Sequence, residues 1–252
     1  MALFVEKVYR SRQTLLEILR DRGYDTVGAE KYGPEEIRAA LAATSNGKAL
    51  EFTVKARDGE TPVTPNVRIY CVLTRLKQKL PGFLASLEPV AGLADEAAGR
   101  DKEKIGSPVD PAQTSVICLI NELDNENKIP AVFYQASAIA WRKNRLRLTF
   151  FNMDSFIFDP RKHFLVPKHE IVPQEQHAAL LSSSYTTSAT QFPWISYSDM
   201  QVRVIGAVPG DIIKITRPSP SAGEYNIYRT VSYPGGESDA GNTEEGAGGE
   251  ED

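Results

Sequence analysis

The chain has 252 residues, with 29 Lys and Arg against 33 Asp and Glu, for a formal net charge of −4. Hydrophobic residues make up 41% and charged residues 25%, an ordinary globular mixture with room for one large domain or two modest ones. Two cysteines, Cys71 and Cys118, are too few for a disulfide framework or a Cys-based zinc site. No run approaches the ~18 apolar residues of a membrane span, and no basic-then-apolar leader opens the chain. The expectation is a soluble protein of a reducing compartment with no membrane partner.

A first helix is predicted over 5–20, because Val5, Val8, Leu15 and Leu19 share one face with Leu16 and Ile18 beside it. Lys7, Arg10, Arg12 and Arg20 fall on the side expected to be wet, and Asp21-Arg22-Gly23 supplies the stop. A second helix starts at Gly33-Pro34-Glu35-Glu36, with Pro34 in its first turn and acids at the positive end of its dipole, and closes at Ser45-Asn46-Gly47. Residues 50–55 alternate as a strand, and 67–73 are apolar and β-branched enough for a buried one. Residues 88–113, rich in Ala, Gly, Pro and charge, read as a surface insertion. A buried strand is expected at 114–120, a helix from Pro130 to Trp141, and short strands at 146–151 and 156–158. Strands alternating with helices make residues 1–162 an α/β layered domain.

From His163 the texture changes. A short helix is predicted over 173–181, followed by a Ser/Thr-rich connector and the apolar stretch Val202–Ile205. Residues 211–217 and 224–231 alternate as strands, joined through Pro218–Gly223 into a hairpin. These make a second, small α+β domain over 163–233. Residues 234–252 hold seven acids and no base. Without an apolar residue able to offset ordering entropy they are expected to be a disordered acidic tail. Removing them takes the formal charge from −4 to −4 + 7 = +3.

Catalytic chemistry is hard to find. Neither Cys has a His near it in sequence, and no phosphate-binding or dinucleotide loop is present. His163, His169 and His177 cluster, but spacings of six and eight match no zinc signature. Catalytic residues, metal and cofactors are all expected to be absent. A nuclease reading needs an acid two residues before a strand Lys, so that both reach one metal. Before Lys55 that position is Thr53, and Glu51 stands about 13 Å away at the ~3.3 Å rise of a strand. The cluster Trp141-Arg142-Lys143-Asn144-Arg145-Leu146-Arg147 puts four cations and an aromatic at a helix-to-strand turn. It can grip phosphates or be a solvated turn.

The strings His163-Phe-Leu-Val-Pro167-Lys-His169, Gly206-Ala-Val-Pro-Gly210-Asp-Ile-Ile-Lys-Ile-Thr-Arg217-Pro218-Ser219, Ala222-Gly223-Glu-Tyr225 and Tyr228-Arg229 stand in family order. They resemble the fifth-largest subunit of eukaryotic nuclear RNA polymerases, whose C-terminal domain is also a subunit of the archaeal polymerase. Leu19-Arg20-Asp21-Arg22-Gly23-Tyr24 resembles the start of the eukaryotic subunit. The resemblance implies that the N-terminal domain is a restriction-endonuclease-like jaw and the C-terminal one an assembly domain. It also implies a non-catalytic subunit without a small-molecule substrate. Its partners would be the largest subunit, neighbouring small subunits and, weakly and without sequence preference, downstream duplex DNA.

Carried onto this chain, the partner-binding residues are Pro167, His169, Arg203, Gly206, Gly210, Arg217, Pro218, Ser219, Gly223, Tyr225 and Arg229. The DNA-binding candidates are Arg142, Lys143, Arg145 and Arg147. Departures at Asp199–Val204, Val208-Pro209, Pro220 and Glu224, with the insertion and the tail, fit a divergent lineage such as a large DNA virus. The expected location is the nucleus, or a cytoplasmic viral factory or virion. Two other readings stay open: a free-standing transcription interaction protein mimicking the subunit, and a nuclease-fold enzyme.

Overall fold

The apolar stripe near the N-terminus becomes helix α1, Ala2–Asp21, with Val5, Val8, Leu15, Leu16, Ile18 and Leu19 buried. The computed structural model describes residues 2–43, 47–88, 108–124, 128–219 and 223–233. Most of the 88–113 insertion and the acidic tail lie outside them. The chain divides into one unit of Met1–Val166 with Val204–Gly206, and a second of Pro167–Arg203 and the residues from Ala207 on.

In the first unit, α1 is followed by β1 (Tyr24–Asp25), α2 (Val27–Glu30), α3 (Pro34–Ala43), β2 (Phe52–Ala56) and β3 (Asn66–Val72). Then come α4 (Leu76–Leu87), β4 (Thr114–Ile120), α5 (Ala131–Asn144) and β5 (Leu148–Asn152). The strands form one sheet in order β1-β2-β3-β4-β5, antiparallel through β3 and parallel from β3 to β5. The parallel strands are buried on both faces, which is why they read as continuous apolar runs. On one face Leu80 and Phe83 of α4 and Phe133, Ala136 and Ala140 of α5 meet Tyr70, Val116, Cys118 and Phe150. Phe133 and Phe150 lie 4.9 Å apart, and Tyr70 meets Phe83 edge-on at 5.5 Å. Both cysteines are free and buried, and burial pushes the Cys71 thiol up to about 12.

Three expectations change. Helix α4 was not foreseen; Pro81 and Gly82 sit on its exposed side, and the stripe Leu76, Leu80, Phe83, Leu87 holds it against the sheet. Residues 156–158 are not a strand: Asp154–Phe156 make a 3₁₀ turn that buries Phe156 against Phe151 at 4.4 Å and leaves Phe158 exposed. Arg12 is not wet. It is 4% exposed, because α2 with Tyr32 after it and the strand entry at Leu50 close over it.

The second unit contains β6 (Lys168–Ile171), α6 (Gln174–Ser183), β7 (Trp194–Ser196), α7 (Met200–Ile205, which the unit shares with the first), β8 (Ile212–Ser219) and β9 (Gly223–Ser232). Its sheet runs β6-β8-β9-β7, with β8 and β9 antiparallel and β7 parallel to β9. The hairpin is longer than expected: pairing continues to Ser219 and Gly223, so Pro218 lies in strand β8 opposite Glu224. Its turn, 220–222, lies outside the described residues. Val202–Ile205 is helical, capped by Asp199 Oδ1, which accepts from the Gln201 and Val202 amides at 2.8 and 3.3 Å. One face of the sheet packs Ile212 with Val172, Phe192 and Tyr228.

Candidate functional site

The opposite face of this sheet follows from register. Paired residues in neighbouring strands share a face, and successive residues alternate. The pairs His169–Ile215, Ile213–Arg229, Ile215–Ile227 and Arg217–Tyr225 therefore place His169, Arg217, Tyr225, Ile227 and Arg229 on one side. Ile213 and Ile215 are buried at its root, while Arg217 is exposed and Tyr225 is 59% exposed. Arg229 Nη1 donates to the Trp194 carbonyl at 2.8 Å, which fixes the edge strand β7 to β9. His169 Nδ1 donates to the Pro167 carbonyl at 2.7 Å, so that ring is oriented by the turn before β6. An exposed guanidinium and phenol flanked by an apolar residue on a rigid sheet is the composition of an interface anchor. Ile227 was missed, although the alternation Tyr225-Ile227-Arg229 is present in the sequence.

The other partner-binding candidates do different work. Arg203 is 7% exposed and donates to the Ser198 and Asp199 carbonyls at 3.1 and 3.3 Å, so its charge is spent inside the unit. Gly206 has φ +77°, and a Cβ there would run into the Arg22 guanidinium. Gly210 has φ +98° with open space around it, and its amide donates to the Val231 carbonyl at 3.0 Å. Both are conformations that favour glycine. Pro218, Ser219 and Gly223 end the hairpin strands beside Arg217 and Tyr225.

His163 and His177 also serve the backbone: His163 Nδ1 accepts from the Leu165 amide at 3.3 Å, and His177 Nε2 donates to the Val172 carbonyl at 3.0 Å. Among the described residues no group of three or more His, Cys, Asp or Glu could hold a metal ion.

The four basic residues sit where α5 ends. Arg145 adopts the left-handed conformation, φ +54°, that closes the helix. Its guanidinium and that of Arg147 stand over the Trp141 ring at 5.3 and 5.1 Å. Arg147 also donates to the Gly206 carbonyl at 3.0 Å, and Lys143 pairs with Glu88 at 2.6 Å across exposed surface. Arg142, Lys143 and Arg145 are exposed, whereas Arg147 is half-buried. At the other place weighed for chemistry, the cations that act on Glu51 are Lys48 and Arg68, not Lys55.

Residues 158–231 match the family RNA polymerase Rpb5, C-terminal domain. Over 74 residues, 29% of this chain, the sequence is 49% identical to DNA-directed RNA polymerase subunit Rpo5 of Pyrococcus abyssi, covering 89% of that protein. It is 51% identical over 73 residues to the Rpo5 subunit of Sulfolobus acidocaldarius, covering 86% of it. The Rpo5 subunit of Metallosphaera sedula is 47% identical over 73 residues, with 87% covered. The chain belongs to the Rpb5/Rpo5 family of RNA polymerase subunits. The matched stretch carries every partner-binding candidate, and the sheet face described above is built wholly within it. These relatives are archaeal and add nothing to the viral expectation.

Proposed function

We propose that this member of the Rpb5/Rpo5 family is a non-catalytic subunit of a multisubunit DNA-directed RNA polymerase, docked on the largest subunit through the sheet face of His169, Arg217, Tyr225, Ile227 and Arg229. The observation that carries the reading is the close match of residues 158–231 to nearly the whole length of polymerase subunits, with Arg217 and Tyr225 exposed on one face of that stretch. Residues 1–162 act as the jaw along downstream DNA, and the acidic tail plays no part in docking. The DNA-facing cations at the α5 turn are Arg142, Lys143 and Arg145, while Arg147 holds the turn itself. Their contacts are to phosphates, because a passing template must be held without regard to sequence.

Co-purification tests the reading. The tagged chain should recover the two largest polymerase subunits at one-to-one stoichiometry. Arg217→Ala with Tyr225→Ala should leave the free protein folded, since both side chains are exposed, and weaken incorporation by about 2–5 kcal/mol. Normal incorporation of the double variant would remove the docking face from the proposal.

A further inference from the structure

In the first unit, Arg12 of α1 is a buried cation with an incomplete set of partners. Its Nη1 donates to the Leu50 carbonyl at 3.1 Å and its Nη2 to the Ala29 carbonyl at 3.3 Å. The guanidinium lies 3.9 Å from the Phe52 ring centre and 5.1 Å from that of Tyr32. Its Nε is buried and has no hydrogen-bond partner. Its hydrogen-bond partners are carbonyls and no carboxylate pairs with it among the described residues, and burial lowers its pKa from the ordinary arginine value. A buried guanidinium N–H left unpaired is costly, so such a group calls for an acceptor.

Beside it opens a cleft of about 310 Å³ whose charged lining is Arg12 and Lys55 with Asp25, which is paired opposite Lys55, and Glu51; Tyr32 and Thr53 also line it. One wall is an unfinished sheet edge. The Ala56 amide donates to Pro65, toward β3, and the Arg57 amide donates to Gly23, toward β1. Alternation then turns the main chain of Thr53 toward the β1 side. But β1 pairs only with Lys55 and Ala56, and the chain turns away into α2 at Val27. Thr53 thus has no strand opposite it on that side.

An N–H and a C=O side by side are what another extended main chain completes. A free phosphate could use only the donor. From the unpaired Arg12 Nε, the nearby Lys55 and this edge, we propose that the cleft is a docking site for an extended acidic peptide segment of a partner protein. Its main chain adds to β2 at Thr53, and a carboxylate side chain reaches Arg12.

Fluorescence anisotropy on the full chain tests this with a fluorescein-labelled octapeptide of alternating Val and Glu. The same peptide with Gln for Glu serves as control, and inorganic phosphate as competitor. The Glu peptide should bind at least about ten-fold more tightly than the Gln peptide, since a charge-assisted bond is lost. Thr53→Pro removes the edge donor at an exposed edge position where proline is tolerated and should weaken binding about ten-fold; Arg12→Gln should do the same. Because loss of Arg12 can also unfold α1, Thr53→Pro, checked by circular dichroism, carries the test alone if Arg12→Gln does not fold.

Equal affinity for the Gln peptide, no effect of Thr53→Pro, or displacement by phosphate would each overturn the proposal. So would binding by a chain cut after Tyr233 when the full chain does not bind, which would make the acidic tail the occupant. Polymerase assembly plays no part in this readout, so it stands or falls apart from the docking face.

Discussion

Glu51 offers the sharpest quantitative test of the first unit. Burial pushes its carboxyl up from an ordinary 4.5 to about 7, with Lys48 and Arg68 opposing only in part. Between those two values the folded protein holds a proton that the unfolded chain has released, so stability falls as pH rises through this window and is level above it. The interval is about 2.5 pH units, and at about 1.36 kcal/mol per unit it amounts to about 3 kcal/mol. Contact of the half-buried group with water lowers this to about 2 kcal/mol. Glu51→Gln keeps the shape and deletes the titration. Urea unfolding of both proteins at pH 4, 5, 6, 7 and 8 isolates the residue, because the other groups cancel in the difference. The variant should match the wild type near pH 4 and exceed it by about 2 kcal/mol above pH 7. A difference that does not change with pH, or a variant less stable at pH 8, would refute the burial argument.

Asp159 should behave with the opposite sign. Burial raises its carboxyl, but the bonds from Arg161 outweigh burial and hold it below the ordinary 3.8, so the stability it contributes is present above that value and lost as pH falls through the folded one. Asp159→Asn should therefore destabilise at pH 7 and converge on the wild type in acid urea titrations. Gly206→Ala should cost more than Gly210→Ala in the same assay: both have positive φ, at about 1 kcal/mol of strain, but only at Gly206 does the new Cβ meet Arg22. At the α5 turn, Arg147→Ala should lower the melting temperature by losing the Gly206 carbonyl. Arg142→Ala, Lys143→Ala and Arg145→Ala together should leave it nearly unchanged, weaken DNA retention by the elongation complex and make that retention less steeply dependent on salt.

Legibility followed the range of the forces involved. Helix α1 and the strands β3 and β4 could be read because each carries its own pattern, a 3.6-residue stripe or a β-branched apolar run. Strands β6 and β7 could not: four and three residues are too short to show a period, and their conformation is imposed by pairing to β8 and β9. Helix α4 was hidden because Pro81 and Gly82 argue locally against a helix, and the decision is made by Leu76, Leu80, Phe83 and Leu87 against the sheet. Arg12 failed for the same reason in reverse. Its place on α1 is a helical-wheel fact, but what covers that side comes from residues 29, 32 and 50, far along the chain.

The sheet face proposed for docking occupies the middle ground. Parity within β8 puts Arg217 with Ile215 and Ile213, and parity within β9 puts Tyr225 with Ile227 and Arg229; both can be read from the sequence. Their union depends on register, which no alternation contains. The observed pairing sets Ser219 against Gly223 and so brings Arg217 opposite Tyr225. A slip of one residue would set Arg217 against Glu224 or Asn226 and turn the whole β9 set to the face that packs on Val172 and Phe192. Burial of Tyr228 and Ile212 on that face, and of Ile213 and Ile215 on the other, opposes the slip. The apolar residues of the hairpin thus do more than hold the unit together: by selecting one register they decide that Arg217, Tyr225 and Arg229 stand on the same face.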